Sequence, residues 1–155
     1  MSALSDEAVE MYRSGFNCAQ SVLALAGRRS GLSREMAVRL AEAFGGGMCH
    51  HDQTCGAVTG GLMAIGLTYS RGLSKDAAMG RKAREVATEF MARFAALRGA
   101  VSCTGVIGVD LSTPDGVEES RRRNLSATVC AEAVRDAVAI LEELLGASPA
   151  DAAGA

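Results

Sequence analysis

The stretch "CGAVTGGLMAIGLTYSRG", Cys55 to Gly72, decides the fold class. It carries no charge before Arg71 and no apolar–polar alternation, so it lacks the period of a half-buried strand. Its length and its low content of β-branched residues predict a buried helix, against the pull of its glycines. Gly56 and Gly60, with Gly61 and Ala64 behind them, form a small-residue stripe at helical spacing. Such a stripe admits either another backbone or a compact inorganic group.

Segments of the same type flank it. Ser5 before "DEAVEMYRSG" predicts a capped helix stopped by Gly15, and Asn17 is an N-cap for "CAQSVLALAG", ending at Gly27. Ser33 opens "REMAVRLAEAFGGG", with Met36, Leu40, Ala43 and Phe44 at helical spacing. Ser74 starts a long amphipathic helix whose apolar face holds Met79, Ala83, Val86, Phe90, Phe94 and Leu97. The glycine-rich connection 99–116 holds a short helical turn, with Asp110 capping the next one. A last helix spans Leu125 to Leu145, with Val129, Ala133, Val134, Ala137, Ile140, Leu141 and Leu144 facing inward. The expected result is one all-α domain over 2–146, a compact bundle of about five to seven helices with glycine-rich connections. Residues 147–155, "ASPADAAGA", are expected to form a frayed tail.

Bulk properties agree with this and remove several functions. The chain has 155 residues, 48% of them hydrophobic, but only four Phe, two Tyr and no Trp. A core of small side chains favours closely packed helices. A net charge of -2 gives no basic field for nucleic acid, and "RRRN" at 121–124 reads as a solvated helix face or a partner of a helix C-terminus. The acidic start "MSALSDEAVEMYR" does not read as a signal peptide, and the uncharged run Gln53 to Ser70 is too broken for a membrane span. A cytoplasmic protein is therefore expected. There structural disulfides are disfavoured, so five cysteines point to metal or redox chemistry.

In "GGGMCHHDQTCGAVTGG", Gly45 to Gly61, the residues Cys49, His50, His51 and Cys55 resemble a local zinc or haem ligand set. The rest of the chain suggests a wider site. Cys18 follows the cap Asn17, and Cys55 starts the glycine-rich helix. Both positions lie near the positive end of a helix dipole, which lowers a thiol pKa. Cys103 lies in the glycine-rich connection, and Cys130 shares a helix face with Val134 and Ala137. No CxxC pair and no CxxCH motif occurs, which removes a thioredoxin-like pair, a zinc ribbon and covalent haem. His50 and His51 are read either as an exposed pair titrating near neutrality or, with Cys49, as auxiliary ligands.

The segments "GFNCAQSVLALAG" (15–27), "FGGGM" (44–48), "TCGAVTGGLMAIGL" (54–67), "SCTGVIGVDL" (102–111) and "VCAEAVRDAVAIL" (129–141) together resemble the redox-active C_GCAxxG_C_C family, in that family's order. The resemblance maps its four characteristic cysteines onto Cys18, Cys55, Cys103 and Cys130. It implies a helical domain with a cysteine-based redox site. A related domain of split-Soret cytochrome c implies an iron–sulfur cluster and a homodimer.

Three chemistries follow from these residues. The first is a four-thiolate centre, a [2Fe–2S] or [4Fe–4S] cluster for electron transfer, with Gly56, Gly60 and Gly61 allowing its close approach. The second is metal-free thiol–disulfide chemistry at the same cysteines. The third is a structural or sensing zinc site. An oxidoreductase or an electron carrier with an unidentified redox partner is expected. No nucleophile–histidine–carboxylate spacing and no phosphate loop is present.

Overall fold

The computed structural model describes residues 2–146, so the expected frayed tail at 147–155 lies outside the described residues. Those residues contain nine α-helical segments and no strand: α1 Ala3–Arg13, α2 Cys18–Ala26, α3 Arg34–Leu40, α4 Gly45–Met48, α5 Gly56–Tyr69, α6 Ala77–Arg98, α7 Cys103–Ile107, α8 Pro114–Arg122 and α9 Ala131–Leu145. The all-α class is as expected. The helix count exceeds the expected five to seven because connections also fold into turns. The four-residue α4 and the five-residue α7 are single turns, and α8 begins inside the stretch read as a connection.

Caps explain most boundaries. Asn17 and Gln20 form a reciprocal capping box that starts α2, as expected. Ser2, not Ser5, caps α1. Ser5 lies at N3 and completes the capping box from inside, fully buried. Likewise α6 starts from Asp76 rather than Ser74, because the Asp76 carboxylate accepts from the N–H groups of Ala78 and Met79. Thr113 caps α8 with Pro114 following, a pairing that suits the first helical position. Asp110 stabilises the turn before it, accepting from the Ser112 N–H at 2.9 Å.

α2 is the central element, buried along its whole length and packed on α1, α3, α5 and α9. The glycine stripe of α5 makes its contact possible. A Cβ on Gly60 would stand 2.7 Å from the Ala19 carbonyl oxygen, and one on Gly61 would stand 2.4 Å from the Phe90 ring. Close approach buries Val22, Leu23, Val58 and Ile65, each contributing about 1.5–3 kcal/mol. α3 inverts the expected face. Ala37 and Ala41 turn inward against α2, while Met36 and Leu40 are 44% and 53% exposed. Only methyl-sized side chains fit where the two helices lie so close. The α6 face is correct at Val86, Phe90 and Phe94, but Leu97 in its last turn is exposed.

A second, smaller apolar cluster of Cys103, Ile107 and Leu125 holds α7 and the approach to α9. Cys130 packs against both clusters. The seam between them positions the site. Among the described residues no helix is long and apolar enough to cross a membrane.

Candidate cysteine site

Two of the cysteines are placed by one backbone device. Thr54 and Ser102 form an isolated antiparallel bridge, flanked by Cys55 N–H to Val101 O and Cys103 N–H to Gln53 O, both at 2.8 Å. Each cysteine lies one residue beyond the bridge, at the point where its helix starts. Cys55 is the N-cap residue of α5, and its carbonyl accepts from the N–H groups of Val58 and Thr59. Cys103 is the first residue of α7, behind the cap Ser102.

Cys18 opens α2, where Gly56 lets α5 come close. A Cβ on Gly56 would lie 3.1 Å from the Cys18 Cβ. Cys130 does not lie in regular α-helix, as the sequence suggests. It ends a π-helical turn, Ser126–Cys130, that leads into α9. Single π turns are rare and are common at functional sites. The turn is fastened by the Tyr12 hydroxyl, which lies 2.6 Å from Ser126 Oγ.

The loop ahead of Cys55 folds back over this point. Met48, Cys49, His50 and Asp52 all have left-handed backbones, as do Gly46 and Gly47. A left-handed non-glycine residue costs about 1–2 kcal/mol, so other contacts must hold the loop. Gly47 approaches so near that a Cβ there would stand 2.6 Å from the Cys103 Cβ. Asp52 Oδ1 accepts from the Thr104 N–H at 2.9 Å, clamping the loop to the start of α7. The Thr104 side chain and then its N–H hold the Asp52 carboxyl below its usual pKa. His51 turns away, with Nδ1 donating to the carbonyls of Met48 and Cys49.

Cys18, Cys55, Cys103 and Cys130 line one cleft of about 590 Å³, with Cys49 and His50 beside them. Cys18, Cys55 and Cys103 are buried, Cys130 is half-buried and Cys49 is exposed; no disulfide links any of them. Gly56 also lines the cleft. Gly60 and Gly61, named from sequence with it, face Ala19 and Phe90 instead.

The electrostatics divide the four thiols. Cys130 has a lowered pKa, because Cys18 and the Tyr12 hydroxyl both donate to its sulfur while burial opposes them. Cys18 is raised well above its usual value by donating to Cys130, by burial and by the neighbouring sulfurs. Burial pushes Cys55 up to about 11, although the N–H groups of Ala57 and Val58 and the Arg98 charge favour its thiolate. Cys103 rises to about 12 through burial, with Cys55 and Cys130 adding to the effect. The expectation that helix starts lower Cys18 and Cys55 is thus reversed. At Cys18 the hydrogen bond to Cys130 and then burial, and at Cys55 burial, outweigh the helix dipole.

All four cleft donors are thiols, a donor type that both zinc and iron–sulfur clusters take. Among the described residues no three His, Cys, Asp or Glu side chains are grouped to hold one metal ion. A cluster spreads its thiolate ligands over several irons, so it does not need them to meet at one point.

A helical domain with four cysteines opening on one cleft defines a class of cysteine-based redox proteins. The family model described as "Putative redox-active protein (C_GCAxxG_C_C)" matches residues 16–144, most of the chain. The chain belongs to this family. No curated protein and no solved structure gives a significant match. Sequence reasoning missed Tyr12 and Asp52, because each acts across more than fifty residues of chain with no local motif to announce it.

Proposed function

We propose that the protein transfers electrons through an iron–sulfur cluster held by Cys18, Cys55, Cys103 and Cys130. The observation that supports this most is the convergence on one cleft of four thiols from four separate elements. Bound there, a cluster supplies one-electron chemistry. The chain would hold it from α2, α5, α7 and the π turn. The N–H groups of Ala57 and Val58 favour the Cys55 thiolate, and Tyr12 donates to Cys130; such donors tune a centre's potential. Cys18, Cys55 and Cys103 favour their protonated form, so iron would bind them as thiolates with release of those protons. Anaerobic reconstitution with iron and sulfide tests the proposal. Visible absorption bands and an EPR signal on one-electron reduction are expected; a colourless, iron-free protein would overturn it.

One observation favours a second reading, dithiol–disulfide exchange. Cys18 donates to Cys130, whose thiolate is the most favoured of the four. In this reading Cys130 attacks a substrate disulfide, forms a mixed disulfide and releases one thiolate. Cys18 then loses its proton and attacks the Cys130 sulfur, closing a Cys18–Cys130 disulfide and releasing the second thiolate. Two electrons pass to the substrate. This reading leaves Cys55 and Cys103 without a role, so it ranks second. Reversible loss of two thiols in an iron-free protein would place it first. Zinc has no observation in its favour beyond donor type. Five free thiols support a reducing compartment such as the cytoplasm.

A further inference from the structure

The far end of α5 carries a cleft of opposite character. Most arginines of this chain are engaged: Arg98 with Asp136, Arg122 with Glu119, Arg135 with Asp6, and Arg34 over the Phe16 ring. Arg71, Arg81 and Arg84 form no ion pair or side-chain hydrogen bond with any described residue. All three line one cleft of about 480 Å³ between the end of α5 and the first turns of α6. The cleft has no acidic lining residue. The nearby Asp76 is occupied as the α6 cap.

Arg71 packs its stem on α6. Its stem lies across Gly80, where a Cβ would stand 2.4 Å from Arg71 Cδ and 2.6 Å from Cγ. Glycine at position 80 thus lets a loop arginine lie flat on α6, beside the two helix arginines. Ser70 is at the same edge. Its Oγ accepts from the Gly72 N–H, which leaves its own proton free to donate outward. The three arginines have no anionic partner among the described residues, and an anion in the cleft would supply one. The planar donor fork of arginine matches phosphate oxygens two at a time. A concave cleft suits a small ligand better than the convex surface of a protein partner.

We propose that this cleft binds a small phosphate-bearing anion through Arg71, Arg81 and Arg84. The site lies at the opposite end of the 14-residue α5 from Cys55, about 20 Å away, and is independent of the thiol chemistry.

Calorimetric titration of the full chain with pyrophosphate tests it. Saturable one-to-one binding is expected. Arg71→Gln with Arg84→Gln weakens it roughly tenfold or more, and Arg13→Gln leaves it unchanged. Gly80→Ala, which displaces the Arg71 stem, also weakens it. Far-UV circular dichroism verifies the fold of each variant, and Arg81→Gln alone replaces the double variant if that one does not fold. The proposal is overturned if pyrophosphate does not saturate, if the arginine variants bind it as the wild type does, or if an acidic peptide binds more tightly.

Discussion

Cys18 and Cys130 meet side chain to side chain, whereas Cys55 and Cys103 are brought together backbone to backbone. In the first pair one sulfur donates to the other, so their pKa values move in opposite directions. In the second, the Thr54–Ser102 bridge fixes two helix starts next to each other, and burial raises both thiols. The first pair is therefore set by hydrogen bonding and the second by desolvation. One cleft holds a thiol poised to ionise beside thiols kept protonated. A metal cluster or an oxidant would draw on both.

The strongest way to break this comparison is to separate the elements that carry it. Gly60→Val forces a side chain against the Ala19 carbonyl and drives α5 from α2, taking Cys55 away from Cys18. Destabilisation of about 3 kcal/mol is expected in chemical denaturation, with loss of any reconstituted centre.

The pairs also separate in alkaline solution. Burial pushes Cys55 and Cys103 up to about 11 and about 12, from an ordinary thiol value of 9.0. Above pH 9 the unfolded chain has released these protons while the folded chain still holds them, so folding stability falls as pH rises to 11–12. The loss for Cys55 is on the order of 2 kcal/mol. In the reduced protein, Cys55→Ser with Cys103→Ser should remove most of this slope. Cys18→Ser with Cys130→Ser should remove less, because the shifts of that pair oppose each other. Denaturation midpoints between pH 8 and 11 measure the difference.

A smaller effect sharpens the first pair alone. Tyr12→Phe removes the smaller of the two donors that favour the Cys130 thiolate, so the Cys130 pKa rises and its alkylation at neutral pH slows about two- to threefold. Alkylation of Cys55, read by peptide mass, should not change.

How far the sequence reveals this arrangement depends on the range of each interaction. The α2 start was legible because Asn17 and Gln20 lie within one turn, and the α5 helix because its apolar run leaves no strand period. The four cleft cysteines were legible through their family pattern. The inner face of α3 was not, since helical spacing marks Met36 and Leu40 as readily as Ala37 and Ala41. Only the closeness of α2 decides between the two rows. The α8 start was missed although Thr113–Pro114 is a local cap signal. The thiol pKa values were misjudged because a helix dipole can be inferred from position, whereas burial and the neighbouring sulfurs exist only in the folded chain. The Thr54–Ser102 bridge, the Tyr12 clamp and the left-handed loop at 46–52 all depend on contacts that local patterns do not encode.

The proposed function requires Cys18, Cys55, Cys103 and Cys130 to act as one redox unit, with Cys49 in the same cleft but outside it. Iron and sulfide content after anaerobic reconstitution, compared across the five single Cys→Ser variants, tests this most directly. Each of the variants at Cys18, Cys55, Cys103 and Cys130 is expected to lose or alter the centre, while Cys49→Ser keeps the wild-type iron content and spectrum. Loss in Cys49→Ser, or wild-type content in any of the other four, would contradict it.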